Sequence, residues 1–447
     1  MDRVTRIGLL SLVLAWSAEA AAEDCRTRAR GEYDPATFTN TDTCAECHPQ
    51  HYDQWQGSAH AYAVVDPVFW AGNELSYETN QIENFCITCH SPIADLTNAE
   101  PKLHADTTSE LLVEGQRGVD CQTCHRIYDV TDGGKQLTGC ADYYFGPFPD
   151  PGGAPHGVEE EDVFTTPAYC RPCHDVNIST ATHDGLIQIE FTYTEWAEAN
   201  AAAGGTEAEP AIATCQACHM PAYSGEAAVG WGDRELHDHR FVGVDVPLVE
   251  FADSHQQYRG MQDLLGTAGA ISAELDGEVV RVAVTNLNPG HSLPTGSAHA
   301  REVWVHLSVI GADGTVYLES GDLDENGDLR DEHSEIDPYG DPWISSGESA
   351  FRQYLYDKDG NEVTAAYGSV TTVVREMLEA GEVRDVAYNL RGLVPANAAY
   401  PIDVVAELLF RPAANYLLRE LGLPAEMAAL VPLTTLARTS FSIEAGV

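Results

Sequence analysis

The chain has 447 residues, 44% of them hydrophobic, with nineteen tyrosines and seven tryptophans, which leaves room for two or three domains and excludes a disordered chain. Twenty-four basic against seventy acidic residues give a formal charge of −46, and the only lysines are Lys102, Lys135 and Lys358. That balance excludes a nucleic-acid binder, whose phosphate contacts need a basic face. Two readings of the acidity stay open: a surface that attracts basic partners at low ionic strength, or a solvated surface suited to a saline habitat.

Residues 1–22 place Arg3 and Arg6 ahead of an apolar run from Ile7 to Trp16, then small residues that suit a cleavage site. They read as a signal peptide. The run is short for a spanning helix, and no later stretch is apolar enough to cross a bilayer, so the mature chain is expected in the periplasm or outside the cell. Asp24 stands where lipid attachment at Cys25 would want a small residue.

From residue 44 one spacing recurs five times: Cys44-Ala-Glu-Cys47-His48, Cys86-Ile-Thr-Cys89-His90, Cys121-Gln-Thr-Cys124-His125, Cys170-Arg-Pro-Cys173-His174 and Cys215-Gln-Ala-Cys218-His219. Each is C-x-x-C-H, the attachment motif of c-type haem. Two thiols three apart each add across a vinyl group of one porphyrin, and the next histidine turns under the same ring as the proximal iron ligand. A single copy would also suit a redox dithiol or half a zinc site, but five copies, each with its histidine, leave little room for zinc. The expected cofactors are five covalent haem c groups. The motifs begin 35 to 49 residues apart, too little chain for an independent fold around each. The haems are therefore expected to pack on one another and serve as the core, wrapped by short helices and Gly/Pro loops such as "DPGGAPHG" and "NAAAGGTEAEP". Cys25 and Cys140 are left over and read as one structural disulfide, with a reactive thiol as the alternative.

Seventeen histidines less the five proximal ones leave twelve candidates for the far side of each iron. Two imidazoles give a six-coordinate iron suited to electron transfer, whereas a missing sixth ligand lets the iron bind a small molecule. The stretch "CAECHPQHYDQWQGSAHA", residues 44–61, resembles the N-terminal signature of multihaem cytochromes related to hydroxylamine oxidoreductase and to the tetrahaem cytochromes that accept its electrons. The resemblance continues through "FCITCHSPIA", "GVDCQTCHRI", "YCRPCHD" and "CQACHMP", over about residues 41–242. In that family the histidine of the W-x-x-S-x-H-A element is a distal ligand, which implies the same for His60, with Trp55 and Ser58 matching. His239 in "HDHRF" resembles a distal ligand by its spacing after "CHMP", with His237 its close rival. His291 in "NPGHSLPTG" resembles an element of multihaem cytochromes that carry a C-terminal β domain. His156, in the loop ahead of the fourth motif, and His104, between the second and third, complete the candidate set. His51, His183 and His255 are substitutes, while His299, His306 and His333 read as ordinary β-domain residues. "TYTEWAEANAA", residues 192–202, echoes the tryptophan element but lacks its serine and histidine, so one haem is either open or served from elsewhere.

After about residue 265, "GEVVRVAVTNLNP", "REVWVHLSVIGADGTVYLESG", "EVRDVAYNL" and "IDVVAELLF" alternate or run apolar over strand lengths, and "GADGTV" signals a hairpin. These predict an antiparallel immunoglobulin-like β-sandwich, followed by a short helix, "PAANYLLRELG", and an extended "TSFSIEAGV". The fold class expected is α+β: a signal peptide over 1–22, a mostly helical and irregular pentahaem domain over 23–264, a β-sandwich over 265–412, and a helix and tail over 413–447. "DLDENGDLRDEH" partly fits a calcium loop through Asp322, Asp324, Asn326 and Gly327, but His333 stands where a bidentate Glu is wanted. An acidic, solvated hairpin is the preferred reading, with weak calcium binding as the alternative.

Three functions fit these features. The first is electron transfer between redox proteins with basic docking surfaces. The second is reduction or oxidation of a small nitrogen or sulfur compound at one open haem, although histidine in all five motifs departs from the lysine-ligated haem of one nitrite reductase class. The third is a homo-oligomer or outer-membrane cytochrome assembly in which His291 supplies a ligand within or between chains.

Overall fold

The structure is a computed structural model that describes residues 33–80, 85–97, 118–131, 134–137, 143–179, 186–252, 254–330, 350–365 and 367–446. The segment 1–22, Cys25, His104, Cys140, His183 and His333 lie outside the described residues. The chain combines short helices with antiparallel sheets, an α+β composition that becomes strand-rich toward the C-terminus.

The motif-bearing half is built from short helices: α1 (Pro49–Trp55), α2 (Ala59–Tyr62), α3 (Pro67–Asn80), α4 (Ile87–His90), α5 (Pro92–Thr97), α6 (Cys121–His125), α7 (Thr192–Ala202) and α8 (Cys215–His219). Most are too short to hold as isolated helices and depend on caps and packing. Asp120 caps α6 by accepting the Thr123 amide at 2.8 Å, and Thr214 caps α8 through the Ala217 amide. Each cap sets a cysteine at the first helical position and the motif histidine one turn later. Between the helices lie two-stranded ladders such as Asn177–Ser179 with Leu186–Gln188.

The strand-rich half opens with α9 (Ser254–Leu265) and continues through β1 (Gly269–Asp276), β2 (Val279–Asn286), β3 (Glu302–Gly311), β4 (Val316–Ser320), β5 (Ala350–Phe351), β6 (Gln353–Tyr356), β7 (Thr372–Arg375), β8 (Val383–Asn389), β9 (Ile402–Arg411) and β10 (Thr434–Ile443), with α10 (Asn415–Glu420) ahead of β10. One sheet runs β8-β2-β1 and the other β4-β3-β9-β10, with β5 pairing β3. The expected hairpin joins β3 to β4, and Gly314 turns it with φ +85°. Alternate residues of three strands fill one apolar core: Val280, Val282 and Val284; Val303, Val305, Leu307 and Val309; Val404, Ala406, Leu408 and Phe410. That period of two is what a strand with one face on a core requires. Met261 and Leu265 of α9 enter the same core, and β10 pairs β9 along its length. The sheet therefore spans the boundary expected at residue 412, and the core reaches back past 265.

The two halves interlock. Ile178 and Ile187 pack with Leu355, Val363 and Val370, and Leu75 of α3 packs against Ala365, Ala414 and Leu417. Among the described residues no helix is long and apolar enough to cross a membrane.

The acidic loop differs from the expected solvated hairpin. Asp324 and Asp328 are buried: Asp324 accepts the Asn326 and Asp328 amides, Asp328 pairs with Arg419, and Asp322 pairs with Arg330 at 2.8 Å. The carboxylates are engaged by backbone and guanidinium groups. Among the described residues no cluster of three or more acidic, histidine or cysteine side chains could hold a metal ion.

Candidate haem-binding site

The five motif histidines share one local arrangement: Nδ1 of each lies at an acceptor, which leaves Nε2 free to turn toward a metal. His48 donates to the Ala227 carbonyl at 2.5 Å, His90 to Ala63 at 3.2 Å, His125 to Phe145 at 2.8 Å and His219 to Val242 at 2.7 Å. His174 differs, because its Nδ1 faces the Glu190 carboxylate at 3.4 Å. All ten motif cysteines are free thiols, as thioether attachment requires.

Four motif histidines have a second imidazole across from them. Ring centres lie 6.4 Å apart for His48 and His156, 6.2 Å for His174 and His60, 6.4 Å for His125 and His239, and 6.3 Å for His219 and His291. A metal–imidazole nitrogen bond of about 2 Å puts the ring centres of two imidazoles on opposite sides of one iron roughly 6 Å apart. The four spacings fit that geometry. Three of these partners also aim Nδ1 at a carbonyl: His156 at Gly157, His239 at His237 and His291 at Ser292. His60 Nδ1 is buried without a partner, and Asn288 Nδ2 lies 2.9 Å from His291 Nε2.

Electrostatics keep the His60 and His239 rings neutral, as a metal-ligating imidazole must be. Burial, reinforced by His174, His219 and His90, pushes His60 down to about 3. Burial and then His51 and His125 push His239 to about 3 as well. Burial likewise lowers His174, but the hydrogen bond and charge of Glu190 outweigh it and carry the group up to about 9.

Local structure explains how His60 arrives. Ser58 caps α2 by accepting the Ala61 amide at 3.2 Å, and Trp55 Nε1 donates to the Val119 carbonyl at 2.8 Å, just ahead of the third motif. Val119 N in turn donates to the His60 carbonyl at 2.9 Å. Gly118 makes that approach with φ +55°, and a Cβ there would stand 2.2 Å from the His60 carbonyl oxygen.

The echo of this element in α7 uses its tryptophan the same way, since Trp196 Nε1 donates to the Ala213 carbonyl ahead of the fifth motif at 2.9 Å. In place of a histidine it offers Glu195, which is buried and holds the loop that carries His291.

The motifs also approach one another. The Cys44 thiol lies beside that of Cys121, and the Cys170 thiol beside that of Cys215. Tyr169 Oη donates to the Cys124 carbonyl at 2.9 Å, which joins the third motif to the fourth, and Cys89 Sγ reaches the Pro172 carbonyl at 3.8 Å, which joins the second to the fourth.

Residues 43–126 match the family model described as cytochrome c554 and c-prime. The fold is similar to the crystal structure of a penta-haem cytochrome c552 from Thermochromatium tepidum, at a TM-score of 0.59 and 21% identity, over 92% of this chain and 100% of that one. The two likenesses support a multihaem c-type cytochrome. No curated protein matches the sequence.

The remaining candidates fall into place around these pairs. His51 lies beside His239 with ring centres 4.6 Å apart, and it sits only three residues beyond His48 on α1, so it shares that residue's side. His237 is exposed and donates to Met220, and His255 is exposed on α9. His306 lies between Glu319 and Glu407 on the sheet, as an ordinary β residue. His299 departs from that reading. It is buried with Nε2 3.0 Å from Tyr367 Oη, and its surroundings were not legible from the strand pattern.

Proposed function

We propose that this chain carries electrons through five covalent haem c groups, attached at Cys44/Cys47, Cys86/Cys89, Cys121/Cys124, Cys170/Cys173 and Cys215/Cys218. The observation that carries the reading is the set of four histidine pairs at 6.2–6.4 Å. Each pair would hold one iron in a low-spin, six-coordinate state that changes charge with little rearrangement. His156, His60, His239 and His291 would be the distal ligands of the first, fourth, third and fifth haems.

The motif contacts suggest a route from the first haem through the third and fourth to the fifth, with the second entering at the fourth. The family resemblance to cytochromes around hydroxylamine oxidoreductase, the immunoglobulin-like reading of the strand-rich half, and export by the segment 1–22 belong to the same proposal. An acidic surface favours partners with basic docking faces. His291 stands across from His219 of its own chain, so an assembly would not need it as a bridge. Intact mass of the exported protein tests the haem count: five haem increments on a chain cleaved near residue 22 are expected, and fewer would contradict it.

A second reading, ligand chemistry at one haem, draws on His90. Phe69 stacks on its ring at 4.0 Å, and among the described residues no imidazole stands across from it at the spacing of the other four.

A further inference from the structure

The cap on α2 and the Val119 contact fix the backbone of His60, but they do not choose the plane of its ring. Rotation about the last side-chain bond of a histidine is broad and roughly two-fold, so a hydrogen bond or a packed neighbour has to set that plane. His156, His239 and His291 each hold Nδ1 at a carbonyl. His60 Nδ1 is buried with no hydrogen-bond partner among the described residues. Its ring instead meets Phe241, with ring centres 4.6 Å apart and planes at 56°. His60 and His174 are also the most twisted of the four pairs, their planes 49° apart against 35°, 15° and 21° in the others.

Phe241 reaches His60 from an unusual backbone. At φ 48° it is the only non-glycine residue with positive φ among the described residues, although Gly243 stands two positions on. A bulky L-residue avoids that region, so the conformation persists only where the surroundings over-determine it. Here both flanks are tied down. The His239 amide donates to Gln54 Oε1 at 3.0 Å, the Arg240 carbonyl accepts Gln257 Nε2 at 2.6 Å, and the Val242 carbonyl accepts His219 Nδ1 at 2.7 Å. The Phe241 ring also stands edge-on to His239, with centres 5.6 Å apart, but that imidazole has its own bond to the His237 carbonyl.

Resting on the histidine pairing proposed above, we propose that Phe241 is a positioning residue for the fourth haem: its left-handed backbone aims the ring at His60 and fixes the plane of that imidazole against His174. His239 is oriented independently, so the effect is confined to one haem.

The test is low-temperature EPR of the oxidised holoprotein, at equal haem content, for the natural chain, Phe241→Gly, Phe241→Leu, Phe241→Tyr and His60→Ala. The g-anisotropy of a low-spin ferric haem follows the angle between its two imidazole planes. Phe241→Gly removes the ring while suiting the backbone, and Phe241→Leu, the milder change, keeps apolar bulk without a flat face. In both, one low-spin signal should shift in g value while remaining low-spin, and it should be the signal lost in His60→Ala. Phe241→Tyr keeps the ring and should retain the natural spectrum. Unshifted signals in Phe241→Leu and Phe241→Gly, or a shift of several haems together, would overturn the role of Phe241 while leaving the pairing in place. A natural chain in which no low-spin signal depends on His60 would overturn the pairing, and the inference with it.

Discussion

Glu195 Oε2 accepts the Ser292 amide at 3.1 Å and the Thr295 hydroxyl at 2.6 Å, which ties a buried carboxylate of α7 to the loop that presents His291. Arg375 neutralises the other oxygen at 3.0 Å. Helix α7 thus does by proxy what α2 does directly. One tryptophan-anchored element carries its own imidazole, and the other clamps an imidazole supplied by the strand-rich half.

Replacement of Glu195 by Ala should therefore loosen His291 without touching any proposed ligand. The Ser292 amide and Arg375 lose their partner, at a cost of about 2–4 kcal/mol. EPR of the oxidised protein should gain a high-spin component of up to one haem per chain, and Glu195→Gln, which keeps an acceptor, should restore most of the low-spin signal.

Gly118→Ala should disturb His60 in the same manner from the other side. The added methyl meets a backbone carbonyl at 2.2 Å in a conformation that L-residues avoid, so the Val119–His60 contact must open. Loss of one low-spin haem together with a lower unfolding temperature is expected, and an unchanged spectrum would count against this packing.

The fourth haem should respond to Glu190. A carboxylate at Nδ1 makes His174 a more basic ligand than its carbonyl-bonded counterparts and favours the ferric state. Spectroelectrochemistry of Glu190→Gln should show one haem shifted to a higher potential and the others nearly unchanged.

The sequence was most readable where the chemistry is local. Thioether attachment needs two cysteines and a histidine within one helical turn, so the five motifs stand out without tertiary information, and the alternation of Val280, Val282 and Val284 marks a buried strand just as directly. Distal ligands are another matter. His60 and His174 lie more than a hundred residues apart, and nothing along the chain states which imidazole faces which motif. His299 looked like an ordinary strand-region residue because its partner, Tyr367, is 68 residues away. Asp324 and Asp328 looked solvated because their amide and Arg419 partners come from the folded loop and from α10.

Asp66, which accepts the Val68 amide at the start of α3 at 2.9 Å, adds a pH dependence. Burial, and then the charge of Asp245, push it up to about 6 from the usual 3.8. A carboxyl with a raised folded pKa is bound to its proton more tightly in the folded state, so its contribution to stability is fully present below about 4 and is lost as pH rises through about 6. Asp66→Asn keeps the cap and should remove this part of the slope in denaturation measured between pH 4 and 7.

Near-infrared magnetic circular dichroism of the oxidised holoprotein, quantified per chain alongside EPR, tests the histidine pairing most directly. Four bis-histidine low-spin haems and a fifth of distinct ligation are expected. Fewer than four bis-histidine signals would contradict the pairing of His156, His60, His239 and His291 with their motifs, and five would contradict the distinct ligation of the second haem.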